Sequence, residues 1–264
     1  MITWACIDAL ALKWGRGSIA HSHYNARMRL NKHIAETGFC SRREADRLIA
    51  EKRVCVNDQP AGIGTQVDEG DEVRVDGQSL LARRAAGKTR RHSYIALNKP
   101  PGITCTTETA VGGNIIDFVD HRERIFPIGR LDKESEGLIL LTSNGDIVNE
   151  ILRSENRHEK EYLVGVNKVV TPEFLTAMSR GVRIHHQMTK PCKATRLAKF
   201  GFRIVLTQGL NRQIRLMADA FDYRVTELRR VRIVNIKLGA LKIGQWRNLT
   251  DAELHGLLPE RADW

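Results

Sequence analysis

The order of apolar patterns after residue 92 restricts this chain more than any other feature. Strand-like runs recur at 94–97, 138–142, 162–166, 202–206 and 232–236, with helical patterns between only some of them. Ile147, Val148, Ile151 and Leu152 share a helix face behind Asp146, a plausible N-cap. Ile214, Met217, Ala218 and Phe221 also repeat at helical spacing, and Thr250 with Glu253 reads as a capping box opening the last helix. Strands and helices that mix without regular alternation predict an α+β fold with a mostly antiparallel mixed sheet. There is no internal repeat, no G-x-x-x-x-G-K loop and no G-x-G-x-x-G, so neither common nucleotide-binding turn is present.

The 264 residues suit one large domain or two smaller ones, and 42% hydrophobic content is enough for a core. Forty-two Lys and Arg against 31 Asp and Glu leave a formal charge of +11, which concentrates polyanions at the surface without naming one. No run approaches the roughly 20 apolar residues of a membrane helix. Residues 2–12 are apolar but short, are broken by Asp8 and lack a positive n-region, so they make a poor signal peptide. The five cysteines (Cys6, Cys40, Cys55, Cys105, Cys192) form no C-x-x-C pair, which points away from a disulfide framework or structural zinc and toward reduced thiols in the cytoplasm. His185-His186 is a poor metal site, because adjacent histidines project differently and no thiol or carboxylate stands at ligand spacing.

Residues 1–26 show no periodicity and are left as an unassigned extension, with Met28 just before the first organised segment. Residues 27–80 read as a compact basic module. A short helix starts near Arg29 with Leu30 and Ile34 on one face, and Gly38 ends it. Ser41 and Glu44 form a capping-box pattern, followed by Ala45, Leu48 and Ile49 on the inner face and Arg42, Arg43 and Arg47 toward solvent. Val54-Cys55-Val56 reads as a strand, and Asn57-Asp58 and Asp76-Gly77 as turns. The runs 29–32, 40–45 and 54–57 together resemble the alpha-L RNA-binding motif, over about 50 residues. That resemblance implies a basic face toward RNA phosphates, made of Arg42, Arg43, Arg47, Lys52 and Arg53. Residues 81–91 are expected to be a basic linker, 92–258 the larger domain and 259–264 a tail.

The most informative stretch is 126–142, where Gly129 and Gly137 bracket a polar loop ahead of an apolar strand. Loops held by rigid strands often carry catalytic side chains. Arg130 and Lys133 flank Asp132 and favour its ionised form. From spacing alone Asp132 is as readily a turn residue or a surface ion pair. Gly129-Arg130-Leu131-Asp132 with Ser135-Glu136-Gly137-Leu138, preceded by Leu97-Asn98-Lys99-Pro100-Pro101-Gly102 and followed by His158-Glu159-Lys160-Glu161-Tyr162 and then 209–215, resembles the ordered motifs of RNA pseudouridine synthases. The set, from about residue 27 to 258, is most similar to the ribosomal-RNA branch with an N-terminal alpha-L motif. Within that branch, residues 114–119 and the wording around Tyr162 resemble a large-subunit enzyme that also modifies a tyrosine tRNA anticodon loop.

The resemblance implies an isomerase that needs neither metal nor cofactor. Asp132 becomes the essential carboxylate, acting as nucleophile or as base toward the ribose. Arg215 becomes its basic partner, and Tyr162 a ring stacked on the base with a hydroxyl for proton movement. Arg130 would enter the RNA where the target uridine leaves its stack. Each residue also has an ordinary reading: Arg215 as a surface arginine, Tyr162 as core, Arg130 as a solvated loop residue. Arg229-Arg230-Val231-Arg232 alternates into a strand and either lines an RNA cleft or forms a solvated edge. The expected partner is large-subunit ribosomal RNA, with tRNA as a second substrate, and the expected protein is a cytoplasmic monomer. The alternatives are a small-subunit rRNA enzyme of the same branch or a non-catalytic ribosome-assembly factor.

Overall fold

The structure is a computed structural model that describes residues 27–68, 70–80, 92–108, 110–152 and 158–259. The unassigned extension 1–26, the basic linker 81–91 and all but the first residue of the tail 259–264 lie outside these residues. Two compact units divide the chain, residues 1–88 and 89–264.

The first unit runs β1 (Met28–Arg29), α1 (Leu30–Glu36), α2 (Arg42–Ala50), β2 (Val54–Val56), β3 (Gln59–Pro60), β4 (Gln66–Val67), β5 (Val73–Val75) and β6 (Gln78–Ser79). The sheet order is β3-β2-β5-β6, with β1 and β4 paired separately. Leu30 and Ile34 of α1 meet Ala45, Leu48 and Ile49 of α2 over Val54, Val73 and Val75. Asn57 and Asp58 both have positive φ, as do Asp76 and Gly77, so both expected turns close tight hairpins of the twist that suits paired strands. The expected capping box is only half formed. Ser41 Oγ accepts the Glu44 N–H, but the Glu44 carboxylate turns to Arg47 one helical turn on. A charged pair outcompetes a single backbone N–H for that side chain.

The second unit runs β7 (Tyr94–Lys99), α3 (Ile115–Val119), β8 (Phe126–Ile128), β9 (Glu136–Thr142), α4 (Asp146–Leu152), β10 (Lys160–Val166), α5 (Pro172–Arg180), β11 (Arg183–Ile184) and β12 (Gln187–Met188). It continues through β13 (Lys193–Ala198), β14 (Gly201–Leu206), α6 (Gln213–Asp219), β15 (Val225–Ile233), β16 (Ile236–Lys237), β17 (Trp246–Asn248) and α7 (Asp251–Leu257). A large sheet has the order β13-β14-β10-β15-β9-β7-β17, with β8 added on β9 and β16 on β15. Its strands pair antiparallel except β9 with β15. The fold is α+β with a mixed, mostly antiparallel sheet.

Alternation along β7 and β9 builds two cores. Ile95, Leu97, Ile139 and Leu141 face one side with α3, α5 and α6. Tyr94, Ala96, Leu138 and Leu140 face the other with α4 and α7. These strands are buried on both faces, which is why they read as continuous apolar runs rather than alternating ones. Three local expectations change. Asn144 also supports the entry to α4, where Asp146 is the first helical residue, its Oδ1 accepting the Asp146 N–H at 3.0 Å. The run 232–236 is not one strand, because β15 ends at Ile233 and Val234 turns the chain at φ +50° into β16. Helix α5, absent from the sequence reading, opens on Thr171 as N-cap with Pro172 in its first turn. Among the described residues no helix is long and apolar enough to cross a membrane.

Candidate active site

The loop 129–135 hangs between β8 and β9, and several unrelated contacts fix it. Leu131 is buried, and its N–H points to Cys105 Sγ at 3.5 Å. Ser135 N–H donates to the Asp132 carbonyl at 3.0 Å, closing a turn that holds the Asp132 main chain. Below this turn Lys99, the last residue of β7, is fully buried. Its ammonium donates to the carbonyls of Ser135 at 2.8 Å, Pro100 at 2.9 Å and Lys133 at 3.3 Å. Burial pushes the Lys99 ammonium down, opposed by the thiol of Cys105 and the carboxylates of Asp132 and Glu134. Gly102 N–H adds a bond to the Lys133 carbonyl at 2.7 Å.

Arg215, on α6, approaches Asp132. Its Nε lies 3.6 Å from Asp132 Oδ2, and the two side chains are only 15% and 28% exposed. At that distance the contact is one of charge rather than a formed hydrogen bond, and Arg215 Nε has no hydrogen-bond partner. The rest of the guanidinium is anchored, Nη2 donating to Ser135 Oγ at 3.1 Å and Nη1 to the Val225 carbonyl at 3.4 Å. Ile214 and Met217 press the helix into the core and so orient Arg215 inward.

Tyr162 sits buried in β10 opposite Arg230 of β15. The Arg230 guanidinium is 5.9 Å from the centre of the Tyr162 ring, and its Nη1 donates to the phenol oxygen at 3.4 Å. The same Nη1 reaches the Arg130 carbonyl at 3.4 Å, and Nε donates to the Leu138 carbonyl at 2.6 Å. Arg230 therefore ties Tyr162 to the main chain two residues before Asp132. Gly137 makes this possible. Its φ is +103°, and a Cβ there would collide with the main chain of Arg230 where β9 meets β15.

Arg130 itself projects into solvent, and Arg212, at the N-cap of α6, reaches Glu134 at 3.4 Å. In the first unit Arg42, Arg43 and Lys52 are exposed. Arg47 is held by Glu44 and, at 3.1 Å, by Glu51; Arg53 is held by Asp76 at 2.7 Å and Glu51 at 3.1 Å. His185 and His186 form the exposed turn between β11 and β12, both at positive φ.

Two residues at the site went unassigned in the sequence. Lys99 stands within a quoted motif, and its only cue is a lysine ending an otherwise apolar strand. Arg230 lies in a run expected to line a cleft or a solvated edge. Arg229 and Arg232 do pair at the surface, with Glu136 at 3.6 Å and with Glu159 and Glu161 at 2.9 and 2.8 Å. Arg230 instead points inward and is 3% exposed.

Family models match segments in both units of the chain. The family model for RNA pseudouridylate synthase matches residues 93–220, and the S4 domain model matches residues 28–73. The chain is 55% identical to the dual-specificity RNA pseudouridine synthase RluF of Escherichia coli K12, over 86% of this chain and 77% of that protein. It is 31% identical to the ribosomal large subunit pseudouridine synthase B of Bacillus subtilis, over 87% of this chain and 95% of the relative. A crystal structure of a pseudouridylate synthase superposes with a TM-score of 0.64 at 28% identity, covering 88% of this chain and all of the other.

Proposed function

The chain belongs to the RNA pseudouridine synthases, and from that premise we propose that it isomerises a uridine of large-subunit ribosomal RNA, with a tRNA anticodon loop as its second substrate and Asp132 as the essential carboxylate. Two specificities fit the dual-specificity name of the relative at 55% identity, and a large-subunit target fits the name of the Bacillus relative. Under this reading the protein is a cytoplasmic monomer whose first unit grips RNA through Arg42, Arg43, Arg47, Lys52 and Arg53.

The observation that carries the reading is Asp132, held in a clamped loop 3.6 Å from the guanidinium of Arg215. The reaction breaks the N1–C1′ bond of uridine, turns the base and forms a C5–C1′ bond. C5 gives up a proton and N1 takes one, so composition and oxidation state do not change. Asp132 would act on the ribose, either attacking C1′ or accepting the proton from C2′. Arg215 would keep that carboxylate ionised and aimed. The Tyr162 ring would lie against the base, with its hydroxyl available for proton movement. Extruding the uridine costs a few kcal/mol of stacking, and Arg130, which is exposed, would fill the gap.

Mapping pseudouridines by carbodiimide-dependent reverse-transcription stops tests the substrate. RNA from cells lacking this protein should lose one stop in large-subunit rRNA and one in a tRNA anticodon loop. Loss confined to small-subunit rRNA would overturn the assignment.

A further inference from the structure

Arg230 is an unusual residue for the place it occupies. A buried guanidinium normally has a carboxylate against it, because its charge is costly to remove from water. On the same strand the two outward arginines have such partners, Arg229 in Glu136 and Arg232 in Glu159 and Glu161. The inward one, 3% exposed, has none within 4.0 Å among the described residues, and its Nη2 is enclosed without a hydrogen-bond partner. The charge is felt nearby: burial first, and then repulsion from Arg230, bring the Lys160 ammonium down to about 8. What Arg230 does contact belongs to the site. Nη1 is shared between the Tyr162 hydroxyl and the Arg130 carbonyl, and Nε holds Leu138, the third residue after the loop ends.

We propose that Arg230 is a positioning residue for the isomerisation, one that acts through Tyr162. A donor on the phenol oxygen occupies one of its lone pairs and turns the O–H toward the open side of the site. The same nitrogen on the Arg130 carbonyl fixes the start of the Asp132 loop relative to the Tyr162 ring. A neutral side chain of similar length would fill the space and leave the ring and loop free to move independently. This inference rests on the role given above to Tyr162.

The test is a double-mutant cycle. Single-turnover tritium release is timed with the full-length protein on bulk RNA carrying 5-tritiated uridine from cells lacking the enzyme. Arg230→Gln should slow the saturating rate by about tenfold or more and move the half-saturating RNA concentration by less than about twofold. Arg230→Lys, which keeps a donor, should recover part of the rate. In a Tyr162→Phe background Arg230→Gln should cost less than about threefold, because the contact it serves is already gone. Full multiplication of the two losses, with Tyr162→Phe itself impaired, overturns the inference alone. A Tyr162→Phe protein at the wild-type rate overturns the Tyr162 role and this inference with it. A second measurement needs no turnover. In protein labelled with ¹³C-tyrosine, the Tyr162 ring signal, assigned by its loss in Tyr162→Phe, should shift in Arg230→Gln and stay in place in Arg229→Gln. A signal unmoved by Arg230→Gln overturns the proposal.

Discussion

In the first unit Arg47 stands in solvent between Glu44 and Glu51, whereas in the second Arg230 is sealed against Tyr162 with no carboxylate within 4.0 Å among the described residues. The exposed pairs stabilise little, since water and salt screen them and ordering two long side chains opposes them. That weakness would suit the proposed RNA-gripping surface, because an arginine can exchange a carboxylate for a phosphate at small cost. The buried arginine has no such exchange available. Its position is determined by main-chain carbonyls and one hydroxyl, so under the proposal it would contribute geometry rather than affinity. Under the proposed reading one residue type would serve gripping in one unit and alignment in the other, with burial deciding which.

That contrast can be attacked first where its effect is largest. Asp132→Asn leaves Arg215 facing a neutral amide, and tritium release should fall by at least about 10³-fold with RNA binding unchanged. A comparable loss of binding would move Asp132 from alignment to gripping. Next comes Gly137→Ala, which forces a Cβ into the β9–β15 contact at positive φ. Urea unfolding should show about 3 kcal/mol of lost stability, through strain and displacement of the Arg230 main chain. A neutral result would mean that the junction is slack. A smaller effect is expected from Arg43→Ala, which should cut the slope of log affinity against log salt by about 0.7–0.9, one phosphate's worth. The smallest belongs to Arg47→Ala, whose slope change should be less than that of Arg43→Ala, since binding must first draw Arg47 from Glu44 and Glu51. Its melting temperature should stay at the wild-type value. Equal slopes would erase the distinction between paired and unpaired surface arginines.

Much of this architecture is legible in the residue order because local rules and tertiary packing agree. Thr250 and Glu253 do form the reciprocal cap, and the apolar runs at 94–97 and 138–142 become doubly buried central strands. The proximity of Asp132 and Arg215 follows from motif order, with Ile214 and Met217 turning α6 inward. Arg230 was hidden for a specific reason. A register shift between Glu161 and Tyr162 breaks simple alternation along the β10–β15 pair, so Arg232 meets Glu161 while Arg230 meets Tyr162. Two residues apart on an unbroken strand, those arginines would share a face. Lys99 was hidden because its partners are carbonyls, and backbone acceptors leave no mark in a sequence. The Glu44 cap failed for the opposite reason, a competing cation one turn away.

The contact between Arg230 and the Arg130 carbonyl joins residues 100 apart in the chain. Ribosomes add roughly 5–20 residues per second, so a growing polypeptide holds the Asp132 loop for on the order of 5–20 s before the strand that anchors it exists. Arg215 too is made well after Asp132. The unfinished chain therefore emerges beside the largest mass of RNA in the cell with its carboxylate made and its alignment missing. On the proposed reading competence would come only when β15 is inserted between two strands that are already present.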